Sequence, residues 1–215
     1  MKGEKIKNLF DSFSKLNILI VGDVMLDAYV WGHVSRISPE APVPIVSVDK
    51  REIRLGGAAN VALNIKAMGA KPILCAVIGK DGHGEQFSSL LKNEKLSTEG
   101  ILALEDRSTT TKTRIIGNKH QMLRVDDEVC TSLSEKQSND LYQRIKKIIS
   151  QQKIDALIFE DYDKGVLSPN LIDRIVKLAS KSGIPTTVDP KKNNFLAYKN
   201  VDLFKPNLRY TTLMK

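Results

Sequence analysis

The sequence is poor in the residues that build metal centres and disulfide frameworks. It holds two cysteines and three histidines in 215 residues. Cys75 and Cys130 show no ligand spacing, and no structural disulfide is expected between them. Cys75 lies in the apolar run Pro72–Ile78 and is expected in the core; Cys130 sits among polar residues and is expected at the surface. His33, His83 and His120 are isolated and are assigned no chemistry. Long hydrophobic runs are missing too. Stretches such as Ile18–Val21 are far too short to span a bilayer, and Met1–Lys15 has lysines but no apolar signal-peptide segment. A cytoplasmic protein with no membrane partner is the expectation. Aromatic residues amount to only 6%. The net charge of +8 is spread along the chain, and adjacent basic pairs such as Lys146-Lys147 and Lys191-Lys192 are few. Without basic clusters and stacking aromatics, nucleic acid is not an expected partner. The charge reads as a solvated surface that attracts anionic substrates.

What is present is a globular composition, with 41% hydrophobic and 27% charged residues, in a length that fits one large domain. Asn17–Gly22 is a buried-type strand. Gly57–Met68 has helical periodicity, with Ala58, Val61, Ala62, Ile65 and Met68 on one face and Gly69 as its stop. A strand over Pro72–Ile78 and a helix over Gln86–Asn93 follow. Extended segments come next, at Ile101–Leu104 and Thr109–Val125, the second a hairpin turning at Gly117-Asn118. Ser134–Gln151 is amphipathic and helical, Ala156–Phe159 a strand and Asn170–Lys181 a helix. Pro185–Val188 and Asp202–Phe204 close the pattern as strands. This alternation predicts a parallel α/β sheet with crossover helices. Two stretches break it, near 30–55 and 105–125. The first is interrupted by Pro39, Pro42 and Pro44, which confine it to edges or loops. The two are expected to pair into a small β-lid over the sheet.

Ligands of open α/β sheets bind beyond the carboxyl ends of the strands. The residues there are Asp23 and Asp27; Glu160, Asp161, Asp163 and Lys164; Asp189 and Lys191; Lys205 and Asn207. A single one of these reads as a helix cap. Four successive strand ends bearing carboxylates, lysines and an amide read as a polar site. Gly56-Gly57-Ala58-Ala59-Asn60 opens a helix with small residues, so a ligand oxygen can approach the backbone N–H groups. It is neither a GxGxxG nor a GxxxxGK[ST] loop, which argues against dehydrogenases and P-loop enzymes.

The run from Gly56 through Asn60 and Ala62 to Gly69 and Gly79 resembles the first signature of the ribokinase/phosphofructokinase-B sugar kinases. Gly22–Asp27, Ser35–Pro44 and Gly56–Ala62 are more narrowly similar to the kinase domain of the bifunctional heptose-7-phosphate kinase/adenylyltransferases. Thr111–Arg114, Arg124–Asp126, Asp161-Tyr162, Lys164-Gly165 and Asp189–Lys191 continue the likeness in order. The resemblance implies a ribokinase-like fold and the N-terminal part of one kinase domain over residues 1–215. It implies ATP and Mg2+ as cofactors and a sugar phosphate as substrate. Asp27 would accept sugar hydroxyls, beside Gly56, Gly57 and Asn60. Arg36, Lys112, Arg114, Arg124 and Lys164 are the candidate cations for the sugar's phosphate, with Asp161 orienting the sugar or fixing Lys164. Lys191, Lys205 and Asn207 would face the nucleotide.

The family's Gly-Ala-Gly-Asp segment, which carries the catalytic base and the anion hole, does not occur, and the base is expected beyond Lys215. The family's Asn-x-x-Glu reads Asn207-Leu208-Arg209-Tyr210, with Tyr in place of Glu. No His-x-Gly-His nucleotide-transfer motif occurs either. The 215 residues alone are therefore expected to bind without measurable turnover. Another sugar kinase of the family, or a module that only binds sugar phosphate, are the alternatives. A lid exposing Val43, Ile45 and Val48 is expected to join two copies into a homodimer.

Overall fold

The structure is a computed structural model that describes residues 2–208. Among these residues the chain forms five helices and ten strands. In order they are α1 (Lys2–Phe13), β1 (Asn17–Gly22), β2 (Val24–Ile37), β3 (Pro44–Gly57), α2 (Ala58–Ala67), β4 (Lys71–Gly79), α3 (Gly82–Asn93), β5 (Ile101–Leu104), β6 (Thr111–Gly117), β7 (His120–Asp127), α4 (Glu135–Gln151), β8 (Ala156–Glu160), α5 (Pro169–Lys181), β9 (Thr186–Asp189) and β10 (Leu203–Phe204). Six strands make one sheet in the order β10-β9-β8-β1-β4-β5, parallel at every pairing. The strand order reverses at β1, so the crevice at its carboxyl end, between β4 and β8, is where a ligand is expected.

Alternation along the strands divides the core in two. Leu19, Val21, Leu157 and Phe159 point to one face and pack under α4 and α5 through Leu141, Ile145, Leu171, Ile172 and Ile175. Ile18, Ile20, Leu74 and Ala76 point to the other, under Ala58, Ala59 and Ala62 of α2 and Phe87 and Leu91 of α3. The helices start where their sequences direct. Ser134 caps α4 in a reciprocal capping box with Gln137, and Ser168 with Pro169 opens α5. Gly69 and Gly183 end α2 and α5 with positive φ. None of the described helices is long and apolar enough to cross a membrane.

The remaining strands form a second sheet in the order β3-β2-β6-β7. It joins the two stretches that break the alternation, through the parallel pairing of β2 with β6. Its hairpin strands run longer than the prolines suggest, β2 and β3 having 14 residues each. The prolines still act as their chemistry requires. Pro39 and Pro42 lie in the connecting loop, and Pro44 is the first residue of β3, an edge strand. The β6–β7 turn centres one residue later than expected, on Asn118 and Lys119, both with positive φ; a two-residue hairpin turn of the I′ kind needs this. Helix α1 is absent from the expectations; Ile6, Leu9 and Phe10 on it are exposed.

Candidate functional site

The lid and the body meet at four chain crossings, and each is pinned. The Ala58 N–H donates to the Asp23 carbonyl, which ties the exit from β1 to the start of α2. The Asp81 carboxylate caps α3 at Gly84 and accepts from the Thr109 N–H and hydroxyl. Arg107 donates to the carbonyls of Val129, Thr131 and Lys164, and the Leu133 N–H to that of Gly165. Asp23, only 1% exposed, accepts from the N–H groups of Tyr162, Lys164 and Val166. Burial outweighs these donors and pushes its pKa up to about 6. The loop after β8 is therefore fixed to the end of β1.

The lid has two unlike faces, set by the two-residue period of its strands. Leu26, Ala28, Ile53 and Leu55 lie on one and pack towards the body. Asp27 and Tyr29 lie on the other. In register beside them come Arg54 on β3, Lys112 and Arg114 on β6, and Arg124 and Asp126 on β7. Arg114 Nη1 donates to Asp27 Oδ1 at 2.6 Å. Arg54 and Arg114 both stack on the Tyr29 ring, each 5.2 Å from its centroid. Gly56 leaves room for the Asp27 carboxylate, since a Cβ there would stand 2.3 Å from Asp27 Oδ2. Gly57, at φ 59, precedes α2 without a side-chain cap, so N–H groups of the first helical turn near Asn60 remain for a ligand. Further along, Lys112 Nζ bonds Asp126 at 2.7 Å and Glu128 at 2.8 Å, and Lys164 Nζ bonds the other oxygen of Glu128 at 2.7 Å. Burial disfavours the charge on Glu128, but the two lysines outweigh it and hold its carboxyl below the usual range.

A second group lies at the ends of β8, β9 and β10. Glu160 and Asp189 are register partners. Burial first, and the charge of Asp189 second, push Glu160 up to about 7. Lys191 Nζ lies 4.0 Å from Asp189 and 5.0 Å from the centroid of the Tyr162 ring. Lys205 and Asn207 are exposed just beyond β10. Burial raises the Tyr162 hydroxyl above its ordinary range, and the charges of Glu160, Asp189, Asp27 and Asp23 raise it further. Tyr162 thus feels both groups.

Residues 15–210 match the family described as pfkB family carbohydrate kinase. The chain belongs to the pfkB family of carbohydrate kinases. It is 40% identical over 197 residues to the bifunctional protein HldE of Magnetococcus marinus, covering 91% of this chain and 40% of that protein. It is 43% identical over 190 residues to the bifunctional protein HldE of Helicobacter pylori strain J99, covering 88% and 41%. The chain therefore spans about 40% of the length of the relatives it matches. Among solved structures, Arabidopsis thaliana ribokinase complexed with ribose and ATP shares the fold with a TM-score of 0.63 at 13% identity, over 92% of this chain and 62% of that one. The tetrameric inhibited form of Escherichia coli phosphofructokinase-2 gives 0.69 at 18%, over 92% and 62%.

In this pfkB-family chain the residues expected on the sugar side fall into three sets. Asp27, Gly56 and Arg114 meet at the base of the lid, with Gly57 and Asn60 following Gly56 into α2, and Lys112 and Lys164 converge on Glu128. Arg124 lies on the same lid face, exposed and bonded to Asp126 at 2.9 Å. Two residues are not brought together with them. Arg36 sits exposed near the tip of β2, nine residues from Asp27 and so roughly 30 Å away along the strand. Asp161 faces inward, 1% exposed, and accepts from Tyr198 at 2.7 Å and Asn194 at 2.9 Å. It neither reaches the rim nor touches Lys164. Its direction was readable in the sequence, because it keeps the parity of the buried Leu157 and Phe159. Position 210, where Tyr stands for the family's Glu, lies outside the described residues. Sequence reasoning missed Tyr29, Glu128 and Arg107. Tyr29 alone carried a signal, being two residues from Asp27 and hence on its face.

Proposed function

We propose that this chain forms the sugar-binding part of an ATP-dependent kinase domain. Its substrate would be D-glycero-D-manno-heptose 7-phosphate, and its product the 1,7-bisphosphate used in ADP-heptose and lipopolysaccharide synthesis. The observation that carries the reading is the Asp27 carboxylate. It is held through Oδ1 by Arg114, while Oδ2 lies over the side-chain-free surface of Gly56. A carboxylate so fixed is suited to accept hydrogen bonds from sugar hydroxyls and to orient the ring. Lys112 and Lys164 supply charge for the phosphate already on the sugar, with Arg114 and Arg124 on the same lid face. Lys191, Lys205 and Asn207 serve the nucleotide. The reading assigns the reaction to the cytoplasm.

No group of three or more His, Cys, Asp or Glu side chains among the described residues could hold a metal, so a closed protein cage for Mg2+ does not fit. A nucleotide-borne magnesium needs only one or two carboxylates beside the phosphates. Glu160 and Asp189 fit that need, since their charges repel and Asp189 Oδ1 is buried without a hydrogen-bond partner. Magnesium there would neutralise the phosphate oxygens during transfer. We also assign the exposed apolar residues Val43 and Val48 of the lid, with Ile45 half-buried between them rather than exposed, to a lid-to-lid homodimer interface. Sedimentation at micromolar concentration tests it, and a monomer there refutes it.

The decisive experiment for the sugar site is calorimetric titration of heptose 7-phosphate into Asp27→Ala and into Asp140→Ala, which alters an exposed carboxylate on α4. Asp27→Ala should weaken binding by about a hundredfold and Asp140→Ala should leave it unchanged. Equal effects remove Asp27 from the site.

A further inference from the structure

Glu128 belongs to neither sheet strand nor helix. It follows β7 directly, on the connection that leaves the lid for α4. Its two oxygens are divided between two parts of the molecule, Oε2 taking Lys112 of the lid and Oε1 taking Lys164 of the loop after β8. The three side chains are 15%, 16% and 24% exposed, for Lys112, Lys164 and Glu128 in turn. They are shielded enough for the pairing to matter, and open enough for a ligand to exchange with it. The immediate network comprises Lys112, Lys164 and Arg124 against Asp126 and Glu128, which leaves one positive charge unmatched.

We infer that Glu128 is a specificity-determining residue that occupies, in the ligand-free protein, the anion position between Lys112 and Lys164. The phosphate of an incoming sugar displaces it. The inference rests on the sugar-phosphate reading above. A carboxylate offers two oxygens and one charge; a phosphate monoester offers three oxygens and nearly two charges, so it wins the lysines when something else holds it in place. That hold is the sugar ring on Asp27. Free inorganic phosphate has no such hold, and Glu128 keeps it out.

The lysines do not need Glu128 for their positions. The Lys112 backbone is paired on both sides, with Asp27 of β2 and Asp126 of β7. The Lys164 N–H is fixed by Asp23 and its carbonyl by Arg107. A residue that merely fastened the lid would, when lost, weaken every ligand alike and loosen the fold. A residue that stands in for an anion would, when neutralised, strengthen anions alone.

Calorimetry on the 215-residue chain separates these outcomes, with inorganic phosphate, heptose 7-phosphate and unphosphorylated heptose as probes. Glu128→Gln should bind inorganic phosphate and heptose 7-phosphate about tenfold more tightly than the native chain, and heptose equally. Adding Lys112→Met should abolish the gain. Glu128→Asp keeps the charge but is one methylene too short to span both lysines, and should fall between; it also serves should Glu128→Gln fail to fold. Phosphate affinity that is unchanged, weakened or undetectable in both Glu128→Gln and Glu128→Asp overturns the inference. Gain of phosphate binding with no heptose binding by any chain upholds the displacement and refutes the sugar reading instead.

Discussion

The two sheets share one chain but not one source of stability. In the six-stranded sheet Leu19, Ile20, Val21, Leu157 and Phe159 are all fully buried, and helices cover both faces. In the lid every residue of β7 is exposed, and β3 is buried only over Leu55, Gly56 and Gly57. The first sheet is held by apolar area removed from water. Beyond its base, where Leu26, Ala28 and Leu55 are buried, the second is held by its ladders and by ion pairs such as Arg114–Asp27 and Lys112–Asp126, contacts that a charged ligand can exchange. Segments of that kind open at low free-energy cost. The groups proposed to bind the sugar phosphate sit where the stable sheet hands its chain to the labile one.

The largest expected effect tests this contrast directly. Phe159→Ala should cost about 3–5 kcal/mol, the price of a large cavity in a core that cannot collapse. Leu123→Ala on the lid should cost no more than about 0.5 kcal/mol. Urea denaturation measures both, and comparable losses would show the lid to be as tightly built as the body. Next comes Gly56→Ala, at the seam. The added Cβ would stand 2.3 Å from Asp27 Oδ2 and 2.8 Å from Met25 Cγ, so the carboxylate must move. A stability loss of about 1–3 kcal/mol is expected, with heptose 7-phosphate affinity lowered about a hundredfold. Gly82→Ala meets nothing within 4 Å and should change neither. Retained affinity in Gly56→Ala would mean that Asp27 and Gly56 do not form one surface.

The seam also carries a pH dependence. Asp23 has its carboxyl raised from 3.8 to about 6 by burial. The folded state therefore holds a proton that the unfolded state has lost between these values. The resulting stabilisation is complete below about pH 4 and disappears as pH rises through 6. Its full size is about 3 kcal/mol. Lowering the pH from 7.5 to 5.5 should thus raise the melting temperature; Glu160, raised by burial to about 7, adds to the rise, so Asp23→Asn should reduce the change without abolishing it. A wild-type melting temperature that falls over this interval would place the Asp23 proton elsewhere.

Much of the body was legible because each of its elements obeys one period. Ile18–Val21 and Ile73–Ile78 are buried runs, and Ala58, Ala62 and Ile65 mark a helical face. The lid was legible as an interruption, through Pro39, Pro42, Pro44 and the Asn118 turn, but its strand lengths were not. Backbone pairing over Val24–Ile37 overrode the local irregularity that the prolines impose. The site was legible through the strand-end rule at Lys164 and Lys191, which lie just beyond β8 and β9, whereas Asp27 stands four residues into β2. It was misread at Asp161, where strand parity outranks proximity to the rim. Glu128 and Arg107 gave no signal, because their roles are contacts across 36 and 57 residues of sequence with Lys164, and no local pattern encodes those. Helix α1 was missed although Ile6, Leu9, Phe10 and Phe13 fall at the helical i, i+3, i+4, i+7 spacing.

The two cysteines report the same contrast by chemistry, at the smallest energetic cost. Cys75 is fully buried between strands of the body, and burial pushes its thiol up to about 12. The thiolate that reacts with an alkylating reagent is then scarce, and the reagent has no access. Cys130 is exposed at the lid–body junction, with its sulfur 3.6 Å from Lys164 Nζ and 3.7 Å from Glu128 Oε1. Iodoacetamide at pH 8 should therefore add one group per chain, at Cys130, and peptide mass mapping should find Cys75 unmodified. Saturating heptose 7-phosphate should slow the reaction, because the sugar's phosphate would draw Lys164 away from the sulfur and cover it. The alkylated chain should bind the sugar phosphate less tightly while its melting temperature stays within a few degrees of the untreated protein, since no core residue is touched. Modification of Cys75 at a comparable rate would mean that the body opens as readily as the lid, and the difference between the two sheets would be lost.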